Sequence, residues 1–163
     1  MTHAVLFSRR QALHVVSTGV LASLAQGAFA AAPITLPSTD SLAASLEQAL
    51  QAKQPLVVMV SLHGCPFCKV VRENYLHPLR ATGLQVVQVD MRNPRVLVDF
   101  DGTSLTQDAW VKKQNIKLAP TVLFFGAQGR EVASRLKGAY LPDFYGAYLD
   151  DQLAAARKAV AGA

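Results

Sequence analysis

The fold of this chain is decided by residues 56–70, which read LVVMVSLHGCPFCKV. The first seven residues are almost continuously apolar and rich in valine, a pattern that is typical of a strand buried on both faces. The second half is typical of a helix start, because Pro66 suits a first turn, where its missing N–H leaves no bond unmade. The stretch therefore predicts a buried strand followed by a helix that begins at Cys65 and Cys68.

Cys65 and Cys68 are the chain's two cysteines and its candidate catalytic residues. The free N–H groups and the positive dipole end of a helix start favour a thiolate, the form of cysteine that attacks disulfides. We expect the exposed Cys65 to attack, and Cys68, one turn further in and more buried, to resolve the mixed disulfide. A permanently closed bridge and a metal site that adds His63 or His77 are the alternatives. The second ligand pair that zinc sites usually bring is missing, so we predict no metal.

Residues 1–30 have the features of an export signal. They contain a short basic region (Arg9-Arg10), then an apolar, uncharged stretch, then Ala28-Phe29-Ala30, which supplies a small-x-small cleavage pattern. We expect cleavage after Ala30, or nearby after Ala32, and export by the twin-arginine pathway or by general secretion. An uncleaved membrane anchor is the alternative. The exported chain, residues 31–163, is one domain by size, and we expect it in the periplasm, where a disulfide is stable.

The net charge of the chain excludes some classes of partner. The 163 residues carry a formal charge of +5 at pH 7, which falls to +3 without Arg9 and Arg10. Because basic runs and interleaved aromatic residues are both missing, we predict no nucleic-acid binding. After residue 30, no apolar stretch is long enough to cross a membrane.

The remaining sequence alternates between helix and strand patterns. A second strand pattern at residues 84–91 follows the cysteine helix, which predicts two parallel strands with a right-handed crossover. We also predict a first helix that is capped by Ser38, Thr39 or Asp40 and runs to about residue 53. The cysteine helix should run to about residue 76, where His77-Pro78 breaks or bends it. Further along, we predict a short helix capped by Thr106, a strand at 121–125 with a hairpin partner at 131–136, and a terminal helix at 141–160.

The segment at residues 93–104 is predicted to be irregular. It contains Asp99 and Asp101, and Asp108 follows nearby. Their spacing lacks the glycine and the distal glutamate of a calcium loop. We therefore expect these three carboxylates to be solvated.

The order of these elements resembles the thioredoxin superfamily, with an α/β fold in which helices flank a central mixed sheet. The resemblance covers residues 54–153 and rests on four places at the right separations: Cys65 to Cys68 after a buried strand, Val87-Gln88-Val89-Asp90, Ala119-Pro120-Thr121, and Gly138. Within the superfamily the chain is similar to small exported proteins of the SoxW kind. The longer loop at residues 99–106 supports that narrower match.

The chain departs from thioredoxins at three points. Thioredoxins carry Trp-Cys-Gly-Pro-Cys, whereas this chain has His63-Gly64 before the first cysteine and Pro66-Phe67 between the two. Thioredoxins also place a buried aspartate six residues before the first cysteine. That position is Met59 here, so the buried proton acceptor is absent.

The resemblance also implies a substrate site. It implies a cis peptide bond between Ala119 and Pro120, a loop facing Cys65, and pairing of the Ala119 backbone with an extended substrate chain. Phe67 and Tyr140 are candidates for apolar contact with the substrate. His63 and Lys69 are candidates for tuning the thiol, and an exposed loop histidine and a solvated helical lysine are the alternatives.

These observations together predict a periplasmic thiol–disulfide oxidoreductase. We expect it to reduce disulfides of exported proteins through a cycle of the Cys65–Cys68 dithiol and disulfide, without any other cofactor. The expected partners are exported proteins with disulfides or thiols and a membrane electron donor resembling DsbD, and we expect a monomer. Two alternatives stay open: a disulfide oxidase or isomerase, and a non-catalytic binding module switched by redox state.

Overall fold

The strand predicted at the head of the cysteine motif is β1 (Leu56–Ser61), and all six of its residues are buried. The computed structural model describes residues 34–139 and 142–162. The predicted export signal and Tyr140 lie outside the described residues. Valine dominates β1 because a β-branched side chain packs well on a pleated surface that is covered on both sides.

The main sheet has four strands in the order β2-β1-β5-β6. β1 pairs in parallel with β2 (Val86–Asp90) and antiparallel with β5 (Thr121–Phe125), which in turn pairs antiparallel with β6 (Leu136–Lys137). The parallel pair and the mixed sheet are as predicted. β6 begins later than predicted, because Glu131 makes only an isolated bridge with Phe125.

The side chains of β1 alternate between two apolar cores, one on each face of the sheet. The disulfide-side core lies under the cysteine helix and α5 (Pro142–Ala161), and it includes Val57, Met59, Cys68, Val71, Phe124 and Leu149. The tryptophan-side core lies under α1 (Leu42–Gln51) and α4 (Gln107–Lys113), and it includes Val58, Val60, Leu97, Trp110, Leu123 and Phe125.

The segment before α1 is part of the sheet edge. The carbonyl oxygen of Pro37 accepts the N–H of Gln88 at 2.9 Å, and Ser38 forms a parallel bridge with that residue. Leu36 is buried in the disulfide-side core. The helix cap is Ser41, whose side chain accepts from Ala44 N at 3.1 Å.

The predicted caps of α1 were therefore wrong. Thr39 sits too early to cap α1, and its hydroxyl bonds to the backbone of Ser41 and to the side chain of Ser45 instead. Ser38 and Asp40 also precede the cap. A sequence with several small polar residues in a row offers several caps, and only the position of the helix on the sheet selects one.

The helix that follows the cysteines does not end before Pro78. It runs as α2 (Pro66–Val70), a π-helical segment (Val71–Leu76) and α3 (His77–Arg80). The N–H of His77 reaches back five residues to the carbonyl oxygen of Arg72. The helix is therefore distorted before Pro78 and not broken, because the wider turn accommodates a proline that lacks an N–H and whose ring crowds the preceding turn. The predicted end near residue 76 was wrong.

The region predicted to be irregular contains a second, two-stranded sheet. β3 (Val96–Val98) pairs antiparallel with β4 (Ser104–Thr106), and Thr106 then caps α4 as predicted. Strands of three residues carry too little alternation to be recognised from sequence. The hairpin packs on the body of the fold through Leu97 and Phe100.

The three carboxylates around this hairpin differ in burial and in their partners. Asp99, predicted to be solvated, is 2% exposed and accepts from the indole N–H of Trp110 at 2.9 Å and from Lys113 Nζ at 2.6 Å. That prediction was wrong because tertiary contacts from α4 cover the carboxylate. Asp101 is exposed, and hydrogen bonds from Thr103 and Lys113 lower its pKa to about 2. Asp108 is half-buried and pairs with Lys112.

Candidate active site

Cys65 lies at the point where the chain turns from β1 into α2. The turn closes with a hydrogen bond from Cys65 N to the carbonyl oxygen of Leu62 at 3.2 Å, and Gly64 occupies a φ of +74° that a side chain disfavours. Cys65 then caps α2, and its Sγ accepts the N–H of Cys68 at 3.1 Å. The helix start thus directs a free N–H at the sulfur atom, as the sequence predicts.

Cys65 and Cys68 form a disulfide with a Cα–Cα distance of 5.2 Å. The two residues differ in exposure, since Cys65 is partly exposed and Cys68 is fully buried in the disulfide-side core. A reactant can therefore approach the Cys65 side of the bond, while Cys68 is reached only through Cys65. This asymmetry suits an attacking sulfur and a resolving sulfur.

The loop before β5 faces Cys65 from the opposite side. The Ala119–Pro120 peptide bond is cis, the isomer that the resemblance implies, and the carbonyl oxygen of Ala119 lies 3.9 Å from Cys65 Sγ. Two hydrogen bonds hold the loop: Gly138 N donates to Pro120 O at 2.7 Å, and the Thr121 hydroxyl donates to Leu118 O at 2.7 Å. Pro120 is buried and Ala119 is half-buried, so a stretch of backbone borders the reachable sulfur.

The other candidate side chains point to solvent. Phe67 is 60% exposed, and His63 and Lys69 are exposed as well. Within residues 34–139 and 142–162, neither His63 nor Lys69 makes a side-chain hydrogen bond or an ion pair. The structure thus brings Cys65, Cys68, Ala119 and Pro120 together, whereas His63 and Lys69 stand near the disulfide without bonding to it.

Met59 occupies the position where thioredoxins carry a buried carboxylate, and it is fully buried. Tyr145, in the same core, is 6% exposed, and its hydroxyl has no hydrogen-bond partner among the residues that the structure describes. Burial raises the pKa of this phenol, and its ring packs against Tyr75 at 4.9 Å between centroids. The interior behind the disulfide is therefore apolar. Sequence patterns did not indicate Tyr145, because a tyrosine on an amphipathic helix carries no local sign of its depth.

A polar network that sequence patterns also failed to indicate anchors the cysteine helix. Arg72 donates from Nε to Gln88 Oε1 at 2.9 Å and from Nη2 to Ser61 Oγ at 3.1 Å. Gln88 donates in turn to Asp90 Oδ1 at 2.7 Å. Arg72 lies four residues after Cys68 and so on the same helix face, and that spacing is the one signal that could have pointed to it.

Neither a metal cluster nor a membrane-spanning helix is found in the part of the chain that the structure describes. Within those ranges, no group of three or more His, Cys, Asp or Glu side chains could hold a metal ion. No helix in the same ranges is both long enough and apolar enough to span a bilayer.

Comparison with known proteins gives one family match. The sequence model of the family described as "Thioredoxin-like domain" matches residues 42–153, more than half of the chain. No curated protein matches the chain.

Solved structures give weaker likenesses. Thioredoxin O2 from Arabidopsis thaliana, in its oxidized state, is 14% identical with a TM-score of 0.49, over 73% of this chain and 96% of that one. A thioredoxin-fold protein from Helicobacter pylori is 13% identical with a TM-score of 0.49, over 77% and 89% of the two chains. Trxlp from Edwardsiella tarda EIB202 is 27% identical with a TM-score of 0.44, over 69% and 95%. These TM-scores are below 0.5 and add nothing to the family match.

Proposed function

The chain belongs to the thioredoxin-like domain family and is a thiol–disulfide oxidoreductase, and from this we propose that it reduces disulfides of exported proteins in the periplasm. The observation that carries the proposal is the asymmetric disulfide. Cys65 is partly exposed at a helix start and faces the carbonyl oxygen of Ala119 at 3.9 Å, whereas Cys68 is fully buried behind it.

The reaction begins from the reduced protein. The Cys65 thiolate attacks one sulfur of a substrate disulfide, a Cys65–substrate disulfide forms, and the other substrate sulfur leaves as a thiolate that takes up a proton. The Cys68 thiol then loses its proton, and its sulfur attacks Cys65 Sγ. The second substrate thiolate leaves, so the substrate gains two electrons and two protons while Cys65 and Cys68 become a disulfide.

The Ala119 carbonyl and the buried Pro120 form a border on which an extended substrate chain can lie. A substrate backbone that pairs with this border, as an added strand does, would be held with its sulfur beside Cys65. Phe67, exposed between the two cysteines, offers apolar contact to the substrate side chains next to that sulfur.

The surroundings of Cys65 support the reducing direction. A disulfide becomes more oxidising as the thiolate of its reduced form is better stabilised. Here Cys65 Sγ accepts one backbone N–H, and neither His63 nor Lys69 bonds to it. Hydrogen bonds from side chains thus add nothing to the stability of the thiolate, which is consistent with a potential near that of thioredoxin, and so with a reductase.

A reductase in an oxidising compartment needs a supply of electrons. We propose a membrane dithiol donor resembling DsbD, which would return the Cys65–Cys68 disulfide to the dithiol. The same proposal includes three further points: a likeness to SoxW-type proteins, a monomeric state, and export directed by the signal at residues 1–30. Residues 1–30 carry the export features by sequence alone.

The proposal is tested by the equilibrium reduction potential of the Cys65–Cys68 pair, measured by thiol trapping across defined redox buffers. We expect a value near or below about −250 mV. A value between about −180 and −120 mV would instead identify an oxidase or isomerase. The absence of any reversible transition would contradict both and favour a permanently closed bridge.

Two cysteine variants provide the control. Cys68→Ser should accumulate a mixed disulfide with protein substrates, because nothing resolves it, whereas Cys65→Ser should accumulate none and should lose turnover. If Cys65→Ser instead keeps a bound partner in a stable non-covalent complex, the chain is a binding module and the reductase assignment fails.

A further inference from the structure

Three segments meet at the disulfide, and none of them contains an acidic residue. They are residues 62–72, 114–125 and 132–139. The first carries Cys65, the second carries Ala119, whose carbonyl oxygen lies 3.9 Å from Cys65 Sγ, and the third carries Gly138, which donates to Pro120 O at 2.7 Å. Within these three ranges the border of the site contributes only positive or neutral side chains, and Glu73 and Glu131 lie just outside them.

Two of the basic side chains in these segments are already engaged. Arg135 pairs with Glu131 and donates to the carbonyl oxygen of Gln114, and Arg72 is held by Gln88 and Ser61. Lys69, Lys117 and Lys137 are exposed and form no ion pair with any side chain that the structure describes. Three unneutralised cations thus remain around the site.

Lys117 and Lys137 flank the backbone that faces the reachable sulfur. Lys117 precedes Ala119 by two residues, and Lys137 is the register partner of Thr121 and the neighbour of Gly138. Lys69 lies one helical turn along α2, where its N–H donates to Cys65 O at 3.2 Å. Asp90, at the end of β2, accepts a hydrogen bond from the Gln88 side chain and forms no ion pair with these lysines.

Exposed apolar side chains lie on the same segments as these lysines. Phe67, Val70 and Leu118 are 60%, 39% and 38% exposed. An incoming chain that lies along Ala119 would place its apolar side chains on this surface and its charged side chains near Lys117 and Lys137. Acidic side chains there gain attraction and steering, whereas basic ones meet like charge.

We propose that this protein selects partners with acidic residues close to the reacting cysteine, and that Lys117 and Lys137 determine this preference. The inference rests on the thiol–disulfide exchange proposed above. It adds a substrate class, namely cysteine-containing chains with negative flanks. The selectivity comes from electrostatic attraction while the substrate approaches the site. It therefore changes the association rate constant and weakens as the salt concentration rises.

The test uses two synthetic probes, each a symmetrical disulfide dimer of a short blocked peptide. In one probe the cysteine is flanked by glutamates, and in the other by lysines at the same positions. The reduced protein is mixed with each probe, and the second-order rate constant of oxidation is measured. We expect the acidic probe to react at least about fivefold faster at an ionic strength of about 20 mM, with the ratio falling toward one at about 0.5 M.

The double variant Lys117→Glu with Lys137→Glu should reverse the ratio, so that the basic probe reacts faster. The ratio of the two rates is the readout, because a changed reactivity of Cys65 would alter both rates by the same factor. Lys158→Glu is the matched control. It removes an exposed lysine near Val160, which approaches Gly126 at the far end of β5, and it should leave the ratio unchanged.

The outcomes separate this inference from the function on which it rests. Equal rates for the two probes with no salt dependence, in the unaltered protein, would overturn the charge selectivity and leave the exchange activity standing. If the reduced protein reacts with neither probe, the proposed function itself fails. Since the salt dependence is measured on the unaltered protein, the test does not depend on the folding of the double variant.

Discussion

At the scale of single residues, the two sulfur atoms differ most in what surrounds them. Cys65 has solvent on one side and a backbone N–H on the other, whereas Cys68 is fully buried in a core that includes Met59. An apolar environment disfavours the charged thiolate. Cys68 must therefore lose its proton without the carboxylate that thioredoxins place at the position of Met59. We expect this to slow the step in which Cys68 resolves the mixed disulfide.

Replacing Met59 with aspartate tests that environment. We expect Met59→Asp to lower the free energy of unfolding by about 3 kcal/mol or more at pH 7, because the carboxylate is buried without a partner. Burial raises the pKa of the new carboxyl above its unfolded value, so stability should be highest below the unfolded value and fall as the pH rises through the folded one. Denaturant unfolding between pH 4 and pH 8, roughly the range in which such groups titrate, measures this dependence.

The same variant should change the resolving step. In the unaltered protein, the pH dependence of the rate at which the mixed disulfide is resolved should show one ionisation. In Met59→Asp, the same pH profile should show a second ionisation. Met59→Leu, which keeps the volume and the apolar character, should cost less than about 1.5 kcal/mol and keep the single ionisation. A two-ionisation profile in the unaltered protein would show that another group already acts as the base.

Sequence patterns indicate some residues of the site and not others for a physical reason. Cys65, Cys68 and Pro120 stand in local patterns, a helix start and a strand start, that neighbouring residues define. Asp99 and Arg72 acquire their roles from partners that lie 11 to 16 residues away along the chain. Contacts of that range depend on how the elements pack, so a local pattern such as the spacing of Arg72 from Cys68 can indicate a helix face but not the partner.

At the scale of elements, the hairpin of β3 and β4 is attached to the fold at its tip. Phe100 packs on Phe125 with 4.6 Å between ring centroids and also covers Gly129 in the 3₁₀ turn (Ala127–Gly129). A Cβ atom on Gly129 would lie 2.3 Å from the Phe100 ring, and Gly129 has a φ of +67°. The hairpin therefore closes over a glycine that both the backbone and the packing require.

We expect Gly129→Ala to destabilise the protein by about 3 kcal/mol, the sum of the cost of positive φ and of the clash with a ring that Phe125 holds. Gly102→Ala, in the β3–β4 hairpin itself, is the matched control. Gly102 has a φ of +82°, but a Cβ atom added to it would meet no other atom within 4 Å, so the backbone cost of about 1 kcal/mol should remain alone. Chemical denaturation of both variants measures the difference, and equal losses would show that Phe100 moves aside freely.

The elements that could be predicted are those long enough to show a pattern. β1 and β5 are continuous apolar runs, and the terminal helix is long enough for a helical face to appear. The three-residue strands β3 and β4 do not, and the π-helical segment was missed because the rule for proline assumes a regular turn at Pro78.

At the scale of the whole molecule, the segment before α1 completes the domain. Leu36 is 6% exposed in the disulfide-side core, and Pro37 and Ser38 cover the outer edge of β2. An uncovered strand edge offers unpaired backbone groups to other chains. Residues 36–38, a few positions after the predicted cleavage site, therefore contribute to the fold.

Leu36→Ala should lower the free energy of unfolding by about 2–3 kcal/mol, because it leaves a cavity in the disulfide-side core. Ile34→Ala, two residues earlier and 41% exposed, should change it by no more than about 0.5 kcal/mol. Guanidinium unfolding of the two variants provides the comparison. Equal effects would mean that the segment is not docked in solution.

The separation of the two cores has a practical consequence for optical measurements. The chain has one tryptophan, Trp110, and it lies in the tryptophan-side core with its indole N–H bonded to Asp99, whereas the cysteines lie across the sheet. A disulfide quenches indole emission only at short range. Because the sheet separates Trp110 from the disulfide, the emission of Trp110 should not change when the disulfide is reduced. Fluorescence of this protein should therefore report unfolding alone, and oxidation will have to be followed through the thiols themselves.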